Sequence, residues 1–445
     1  MQENNWDIVI TGGTLLTMSG KMEIMENSFV GIKGDSIDVV DQIKDTAKAS
    51  LPAKEKIDAS GCVVMPGLVN THTHLPMVCF RGMADDLPLM EWLTKNIWPA
   101  ETHFVNKKMV YDGATLAMAE MILSGTTTFC DGYFFEDSIA EAVSAAGMRA
   151  VVGQGFADFI MKDKRATEKT MAAARIFLEK WLPRAPLITP AYFCHSPYTC
   201  SPETLSRVKE AARDAGILYL IHLLENKDET ETILKRYGKK PVRHLLDLGV
   251  LDERTVAVHC NWLDREDMTV FTDLGVKVSH NPESSMKLAA GIAPVPEMLN
   301  QGITVGIGTD GCASNNDLDM FREMDTAAKV HKVTSLDPTV MDAQTVCKMA
   351  TLGGAKTLGL DQLIGSIEKG KKADIIIIDM NQPHLTPLYN FYSQLVYAAR
   401  GADVKTSIIN GRILMKDREL RTIDTQAAMK NVRKIAAEIV NRELR

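Results

Sequence analysis

The sequence lacks the features that mark membrane, exported and nucleic-acid-binding proteins. It contains no apolar run of about 18 residues, and its first residues, MQENNWD, are not a basic segment followed by an apolar one. Lysine and arginine form no cluster larger than the turn EKGKKAD, and the formal net charge is −7. We therefore expect a cytoplasmic protein that binds neither membranes nor nucleic acid.

Cysteine pairs are also missing. None of the eight cysteines forms a Cys-x-x-Cys motif, and Cys62, Cys130 and Cys260 lie within apolar, strand-like runs. This pattern is typical of reduced thiols that are buried as small apolar side chains. The remaining composition, 45% hydrophobic and 24% charged over 445 residues, suits one large globular domain with a smaller one beside it.

After Gly61 the sequence alternates strand-like and helix-like segments, the pattern of βα units around a parallel sheet. The strand candidates are CVVMPGLVNTH, TTTFCDG, RAVVGQGF, LITPAYFCHS, LYLIHLLE, TVAVHCNWL, VKVSHNP and TVGIGTDG. Eight candidates predict an α/β fold, a (β/α)8 TIM barrel, over residues 61–364. An open doubly wound sheet is the alternative, but no Gly-x-Gly-x-x-Gly turn follows the first strand.

The segments on either side of this region are short and β-rich. Neither residues 1–60 nor residues 365–423 contain enough strands to close a core alone, so we expect both to combine in one small β-sandwich. Residues 424–445 have the spacing of an amphipathic helix that begins near Asp424 or Thr425.

The stretch VNTHTHLP places two of the chain's ten histidines one residue apart. Because side chains alternate faces along a strand, His72 and His74 are expected to converge at the end of the first barrel strand. A divalent metal is the commonest user of such a pair, and two solvated loop histidines are the alternative interpretation.

Titratable side chains end most of the other predicted strands as well. They are His195, His222, Glu225, His259, His280 and Asp310. In a (β/α)8 barrel the active site forms at this end of the strands. A set of imidazoles and one carboxylate suits zinc, iron or manganese, and a divalent ion makes water a nucleophile near neutral pH. No Pro-Cys-x-x-Cys signature of the nucleobase deaminases is present. The sequence therefore predicts metal-dependent hydrolysis.

Six blocks carry a resemblance over nearly the whole chain. They are NTHTHLPMVCFRGMADDLPLMEW, FCHSPYTCS, IHLLEN, VHCNWL, VSHNPESSMKLAAGIAPV and GTDGCASNNDLDMF. In this order they resemble the amidohydrolase superfamily, and more narrowly its 5-methylthioadenosine/S-adenosylhomocysteine deaminase group and the related chlorohydrolases.

The resemblance implies that one divalent ion, zinc or else iron or manganese, is bound by His72, His74, His222 and Asp310. Other members hold two metals with a bridging lysine or glutamate at the end of the third or fourth strand. Because RAVVGQGF and LITPAYFCHS end in neither residue, a single ion is expected.

The resemblance also implies which residues move protons. Glu225 is the proton shuttle to a ring nitrogen of the substrate, for which its pKa must be raised. A solvated loop carboxylate is the alternative for Glu225. His259 and Asp310 hold the attacking water and take its proton.

Further positions match substrate contacts of the resembled group. Glu101 matches the acid that binds the ribose hydroxyls, although an ordinary first-turn helix acid is the alternative. Gln154 stands where some members have arginine, which leaves the preferred 5' substituent open. The other candidates for substrate contact are Trp92, Arg165, His195, Glu225, His280 and Asp310.

The resemblance thus implies deamination of an adenosine-type nucleoside to its inosine analogue and ammonia. The candidate substrates are 5'-methylthioadenosine, S-adenosylhomocysteine, 5'-deoxyadenosine and adenosine. The alternatives are a deaminase or dehalogenase of a free base or triazine, such as guanine, cytosine or an s-triazine, and a non-catalytic metal-binding relative. The partner is a small molecule, and the sequence leaves a homo-oligomer open.

Overall fold

The chain is described here by a computed structural model that covers residues 6–42, 51–158, 166–184 and 187–443. Within these ranges seven strands precede the barrel: β1 (Trp6–Thr11), β2 (Thr14–Leu16), β3 (Ile24–Met25), β4 (Ser28–Lys33), β5 (Ser36–Gln42), β6 (Ala53–Asp58) and β7 (Cys62–Pro66). Four of them form one sheet in the order β5-β4-β1-β6. The other three, β2, β3 and β7, belong to a second sheet that is completed by the C-terminal part of the chain.

Eight parallel strands in sequential order form the barrel. They are β8 (Leu68–Thr73), β9 (Thr126–Tyr133), β10 (Arg149–Phe156), β11 (Ile188–Cys194), β12 (Leu218–Leu223), β13 (Thr255–His259), β14 (Lys277–His280) and β15 (Val305–Ile307). These strands are buried along almost their whole length, as parallel strands covered by helices are. The predicted (β/α)8 barrel is confirmed.

The barrel closes where its first and last strands meet. No β-ladder joins β15 to β8 in the described residues. Instead the N–H of Asp310 donates to the carbonyl of His72 over 3.0 Å. Asn70 and Thr309, 239 positions apart, are joined by an Asn70 Nδ2–Thr309 Oγ1 bond of 2.7 Å. A Cβ on Gly308 would lie 2.7 Å from the His72 nitrogen, so this close approach requires glycine.

Helices connect successive strands and cover the barrel. Pro202–Ala215 shows why they form: Ser201 caps its first turn, and Gly216 ends it in the left-handed conformation. The helices before β11 are Leu75–Phe80, Leu89–Glu91, Trp92–Ile97, Trp98–Phe104, Lys107–Leu123, Glu136–Ala146, Ala166–Trp181 and Leu182–Arg184. The later ones are Pro202–Ala215, Lys227–Tyr237, Pro241–Asp247, Arg265–Leu274, Pro282–Lys287, Val295–Asn300, Met320–Ser335, Ala343–Lys348, Met349–Gly353, Gly354–Thr357, Pro383–Leu385, Phe391–Tyr397, Gly401–Asp403 and Thr425–Glu443. Among the described residues, no helix combines the length and apolarity needed to cross a bilayer.

The N- and C-terminal segments share the second sheet. Its C-terminal strands are β16 (Ile375–Asp379), β17 (Val404–Ile409), β18 (Arg412–Lys416) and β19 (Glu419–Leu420), in the order β19-β18-β17-β16-β7-β2-β3. β16 runs antiparallel to β7, with Ile377 opposite Val64. One apolar cluster contains residues of both sheets, among them Ile10, Ile32 and Ile375. This pairing supports the composite sandwich, whose boundaries stay a prediction.

The run CVVMPGLVNTH is two strands rather than the single strand expected from the sequence. β7 belongs to the second sheet and β8 to the barrel, and the chain passes between them at Gly67. A Cβ at Gly67 would lie 2.0 Å from the Thr127 side chain, so only glycine fits where the chain changes sheets.

A buried ion pair joins the barrel to the second sheet. The guanidinium of Arg149, at the start of β10, donates from Nε to Asp374 Oδ2 over 2.7 Å and from Nη2 to Asp374 Oδ1 over 3.1 Å. It also donates to Asn410 Oδ1 over 3.0 Å. Asp374 and Asn410 lie beside β16 and β17, so this fully buried cation links the barrel sheet to the sheet that contains β16 and β17.

Candidate active site

One cavity at the carboxyl ends of the barrel strands gathers most of the predicted site residues. Its empty space, including the part that opens to solvent, is about 700 Å³. The predicted residues that line it are His74, Trp92, Glu101, His195, His222, Glu225, His259 and Asp310. His72 is completely buried beside them, its ring 4.7 Å from that of His74.

Four of these side chains form a compact cluster of nitrogen and oxygen atoms. His72 Nε2 lies 3.4 Å from Asp310 Oδ1, and His74 Nε2 lies 3.5 Å from the same oxygen. His222 Nε2 is 3.2 Å from His72 Nε2. The predicted convergence of His72 and His74 at the end of the first barrel strand is therefore present.

The orientation of His74 follows from a backbone contact. Its Nδ1 lies 2.6 Å from the carbonyl oxygen of Gly132, which can only accept, so Nδ1 carries the proton and Nε2 presents a lone pair to the cluster. Burial, followed by the neighbouring His72, lowers the pKa of His74 to about 4. The imidazole is thus neutral and able to bind a cation.

Asp310 is fixed by short hydrogen bonds in a left-handed backbone conformation with φ of 61°. Its Oδ1 accepts from the N–H of Gly311 over 2.7 Å. Its Oδ2 accepts from the hydroxyls of Ser284 and Ser314 over 2.6 and 3.0 Å. Burial opposes ionisation, but the hydrogen bond from His72 and the nearby imidazoles hold the pKa of Asp310 well below its usual range.

The cluster has the composition of a divalent-metal site. Ligand atoms of His72, His222 and His259, and those of His72, His74 and Asp310, form two groups within 4.8 Å. Burial also lowers the pKa of His222 far below its usual value, so its imidazole is neutral. His72 Nδ1 is buried without a hydrogen-bond partner in the described residues. The imidazoles of His74 and His222, which burial keeps neutral, together with His72 and the carboxylate of Asp310 fit a divalent cation.

Glu225 lies next to this cluster at the turn after β12. Its side chain is 90% buried, and Oε1 is 3.9 Å from His259 Nε2. Burial, with the charges of Asp310 and Glu229 adding to it, raises the pKa of Glu225 well above its usual value. These surroundings favour the protonated form of the carboxyl group, which can donate a proton.

The backbone around Glu225 is held from two sides. The preceding Leu224 is left-handed with φ of 52°. The carbonyl of Glu225 accepts from Asn261 Nδ2 over 2.8 Å, and its N–H donates to Glu229 Oε2 over 3.4 Å. These contacts fix the direction of the side chain.

His259 is oriented by Asn281, whose Nδ2 lies 3.3 Å from His259 Nδ1. Because the amide nitrogen donates, Nδ1 accepts and Nε2 carries the proton. Burial lowers the pKa of His259 to about 3, so the ring is neutral and can donate from Nε2 into the cavity.

Glu101 lies on the helix Trp98–Phe104 in the wall of the cavity. The hydroxyl of Tyr133 donates to Glu101 Oε1 over 2.6 Å. Burial raises the pKa of Glu101 to about 7, and the hydrogen bond from Tyr133 opposes this shift. The carboxylate can therefore ionise near neutral pH and accept hydrogen bonds from a ligand.

Two other predicted contacts complete the wall. Trp92, at the start of the turn Trp92–Ile97, is 5% exposed and lines the cavity. His195 Nδ1 lies 3.0 Å from the hydroxyl of Thr199, and its ring is 5.0 Å from that of His222. Burial lowers the pKa of His195 to about 3, which makes the ring a neutral hydrogen-bonding group.

Among the described residues, two predicted positions do not join this cavity. His280 ends β14 and is 1% exposed, and its Nε2 lies 3.1 Å from His331 Nε2, so its side chain packs against the helix Met320–Ser335. Gln154 lines an adjoining outer cavity that shares Trp98 and Glu101 with the first. Arg165 lies outside the described residues.

Sequence reasoning missed Tyr133, Ser284 and Ser314. Tyr133 is the last residue of β9 and so lies at the carboxyl end of a barrel strand, where active-site residues are expected. It bears a hydroxyl group, whereas the predicted metal ligands and proton-transfer residues at the strand ends bear imidazole or carboxyl groups. The two serines act only through Asp310, and no local pattern marks them. Their positions become clear only in the folded chain.

Comparison with known proteins agrees with this architecture. The sequence profile of the Amidohydrolase family matches residues 63–414. The chain is 48% identical over 439 residues to a 5-methylthioadenosine/S-adenosylhomocysteine deaminase of Syntrophobacter fumaroxidans, covering 99% of this chain and 100% of the relative. It is 46% identical to a 5'-deoxyadenosine deaminase of Methanosarcina mazei, covering 98% of this chain and 99% of the relative.

A solved structure has the same fold. It is an adenosine deaminase from Xanthomonas campestris with bound zinc, with a TM-score of 0.95 and 37% identity, covering 98% of this chain and 99% of that one. The fold and site thus define a (β/α)8 barrel protein with a possible histidine and aspartate site for a divalent metal. The chain belongs to the amidohydrolase family.

Proposed function

We propose that the chain is a metal-dependent deaminase of adenosine-type nucleosides, which converts them with water to the inosine analogue and ammonia. One observation carries the proposal: a single cavity contains the imidazole and carboxylate cluster, Glu225 and Glu101. The similarity to relatives named as deaminases of 5-methylthioadenosine, S-adenosylhomocysteine and 5'-deoxyadenosine supports it.

The metal is proposed to be one zinc ion held by His72, His74, His222 and Asp310. Zinc suits this nitrogen and oxygen donor set, and the structural relative contains zinc. When bound, such an ion lowers the pKa of water and stabilises negative charge on oxygen.

Glu225 supplies the proton that the ring of the substrate needs. As a buried acid with a raised pKa it donates from its carboxyl oxygen to the ring nitrogen beside the amino-bearing carbon, which makes that carbon electrophilic. The resulting carboxylate can then accept a proton from the attacking water and pass it to the departing amino group. As ammonia leaves, the proton of the new hydroxyl passes to the Asp310 carboxylate, so that a carbonyl remains on the ring, and this proton returns to Glu225 to restore its acid form.

His259 and Asp310 orient the attacking water. The N–H at His259 Nε2 can donate to the oxygen of this water, and the carboxylate of Asp310 can accept one of its protons. The bonds from Ser284 and Ser314 keep the Asp310 carboxylate in place.

Glu101 is proposed to accept hydrogen bonds from the ribose hydroxyls. A carboxylate can accept from two neighbouring hydroxyls at once. Tyr133 donates to Oε1 of Glu101, and among the described residues Oε2 of Glu101 faces no such donor. Around it the cavity is largely apolar, which suits an uncharged or thioether 5' group. The apolar residues are Met77, Leu89, Leu93, Ile97, Trp98 and Phe156.

A substrate panel tests this function. Ammonia release is measured with 5'-methylthioadenosine, S-adenosylhomocysteine, 5'-deoxyadenosine, adenosine, guanine, cytosine and an s-triazine, for wild type and Glu101→Ala. We expect the wild type to prefer nucleosides, and we expect the variant to lose about 10²-fold or more in kcat/KM on them, because a group built to bind hydroxyls loses its partner. Turnover of any free base should change little.

Elemental analysis accompanies the panel and should return one zinc per active chain. A wild type that deaminates a free base or triazine better than every nucleoside would end the substrate assignment. Active protein without a metal would end the metal assignment.

A further inference from the structure

Two buried carboxyl groups that the proposed chemistry does not use lie behind the cavity wall. Asp131 is in β9, and Glu136 begins the helix Glu136–Ala146; both are completely inaccessible to solvent. Burial raises the pKa of Asp131 to about 7 and that of Glu136 well above its usual value, and the neighbouring Asp131 raises the pKa of Glu136 further. Asp131 Oδ2 and Glu136 Oε2 are buried without a hydrogen-bond partner in the described part of the chain. Because two neighbouring buried carboxyl groups resist both being charged, this pair favours holding one proton between these two oxygens.

The outer oxygens of this pair hold two stretches of backbone at the site. Asp131 Oδ1 accepts from the N–H of Leu75, the residue after His74, over 2.5 Å. Glu136 Oε1 accepts from the N–H of Tyr133 over 2.6 Å. The pair thus fastens the ends of β8 and β9 to the start of a helix.

The turn between Tyr133 and Glu136 is strained, so it requires stabilising hydrogen bonds. Phe135 precedes the helix in a left-handed conformation with φ of 59°, which costs energy for a side chain of this kind, and it makes no side-chain cap. Glu136 reaches back over this turn to the backbone of Tyr133. The position of the Tyr133 ring therefore depends on Glu136.

We propose that the Asp131–Glu136 pair positions Tyr133, and through its hydroxyl the carboxylate of Glu101, for recognition of the ribose hydroxyls. The inference rests on the proposed function, since it concerns how that nucleoside is bound. Asp131 and Glu136 are positioning residues, because their carboxyl oxygens accept from the backbone N–H groups of Leu75 and Tyr133. The chemical step at the base is assigned to Glu225, and Glu136 is the member of the pair to vary because its oxygen accepts from Tyr133, whereas Asp131 holds Leu75 beside His74.

The test compares kcat/KM for adenosine with kcat/KM for 2',3'-dideoxyadenosine, which lacks the two hydroxyls. The wild type should prefer adenosine by about 10²-fold or more, and Glu101→Ala should abolish the preference. Glu136→Met, of similar size but without hydrogen bonds, should reduce the preference about tenfold. Turnover of dideoxyadenosine and the zinc content should stay unchanged.

Two further variants complete the design. Glu136→Gln should retain the wild-type preference, because its amide can donate to Asp131 and accept from Tyr133. Tyr133→Phe removes only one hydroxyl and should reduce the preference as Glu136→Met does, so the test stands even if the methionine variant does not fold.

The outcomes separate the inference from the proposed function. A wild type without preference for adenosine contradicts the proposed function itself. If the wild type prefers adenosine, two results overturn the positioning role. In the first, Tyr133→Phe or Glu136→Met keeps the wild-type preference for adenosine. In the second, either variant loses kcat/KM on adenosine and on 2',3'-dideoxyadenosine by the same factor. Equal losses in Glu136→Gln and Glu136→Met overturn it as well.

Discussion

Glu225 and Glu101 are buried carboxyl groups in one cavity, yet their surroundings suit them to opposite roles. Glu225 faces the charges of Asp310 and Glu229, which add to burial in raising its pKa. Glu101 instead receives a hydrogen bond from Tyr133, which favours its charged form. The proposed proton donor at the base and the proposed acceptor at the sugar are chemically identical groups that differ in their neighbours.

The substitution Glu225→Gln is expected to reduce kcat by about 10²- to 10⁴-fold, because the amide cannot donate and recover the proton. Zinc content and thermal stability should stay close to wild type, since Gln has the same shape. The exposed Asp228→Asn in the following helix turn is a suitable control and should keep full activity. Near-wild-type turnover of Glu225→Gln by ammonia release contradicts the proton-shuttle role.

The sequence could predict residues whose role follows from their position on a strand. His72 and His74 are an example. The alternation of side chains along β8 and the position of both residues at the end of that strand can be read from the local sequence. Tyr133, Asp131 and Glu136 could not be predicted this way. Their roles come from contacts between segments that the sequence does not show to be neighbours.

At the scale of elements, three barrel strands end at or near residues in the left-handed backbone conformation. Leu224, His259 and Asp310 all have positive φ angles, although none of them is glycine. Each of these residues is, or directly precedes, a residue of the proposed chemistry. Strain of this kind persists only where surrounding contacts hold it, as the bonds to Asp310 do.

The contact between β8 and β15 gives a prediction for the substitution Gly308→Ala. The added Cβ would meet backbone atoms of His72 at 2.7 and 2.9 Å, so the last strand must move away from the first. We expect a loss of about 1–3 kcal/mol of stability, together with reduced zinc affinity.

Thermal unfolding and zinc titration measure the two effects of Gly308→Ala. Gly20→Ala is a matched control, because this glycine is exposed with open space around the Cβ position. A Gly308→Ala protein as stable and as tightly metal-binding as the control contradicts the role of this contact.

The element boundaries were the part of the fold that the sequence predicted least well. The run from Cys62 to His72 reads as one apolar strand, but Pro66 and Gly67 mark the point where the chain leaves one sheet for another. A Pro-Gly pair is typical of a turn, but the mostly apolar residues around it suggested one continuous strand. The number and order of the barrel strands were predicted correctly, because the βα alternation is regular.

At the scale of the whole molecule, a buried ion pair links barrel and second sheet. Arg149 and Asp374 have side chains that are 1% and 2% exposed. A buried charge that loses its partner is strongly unfavourable, whereas replacing both charges by apolar groups is often nearly neutral.

The substitution Arg149→Met is therefore expected to reduce the free energy of unfolding by about 3–5 kcal/mol, measured by urea denaturation. The double variant Arg149→Met/Asp374→Leu should recover much of this loss. Lys95→Met, which breaks an exposed pair with Glu91, should change stability by less than about 1 kcal/mol. Equal effects of the buried and exposed substitutions contradict the proposed linkage.

The closure of the barrel has a consequence for the protein during its synthesis. Asn70 and Thr309, which join the first and last barrel strands, are 239 positions apart. A nascent chain exposes His72 and His74 long before the ribosome has added Asp310. Until then the three proposed histidine ligands lack the carboxylate of Asp310, so truncated chains and stalled translation products should be inactive. The capacity for catalysis therefore appears abruptly, near the end of translation.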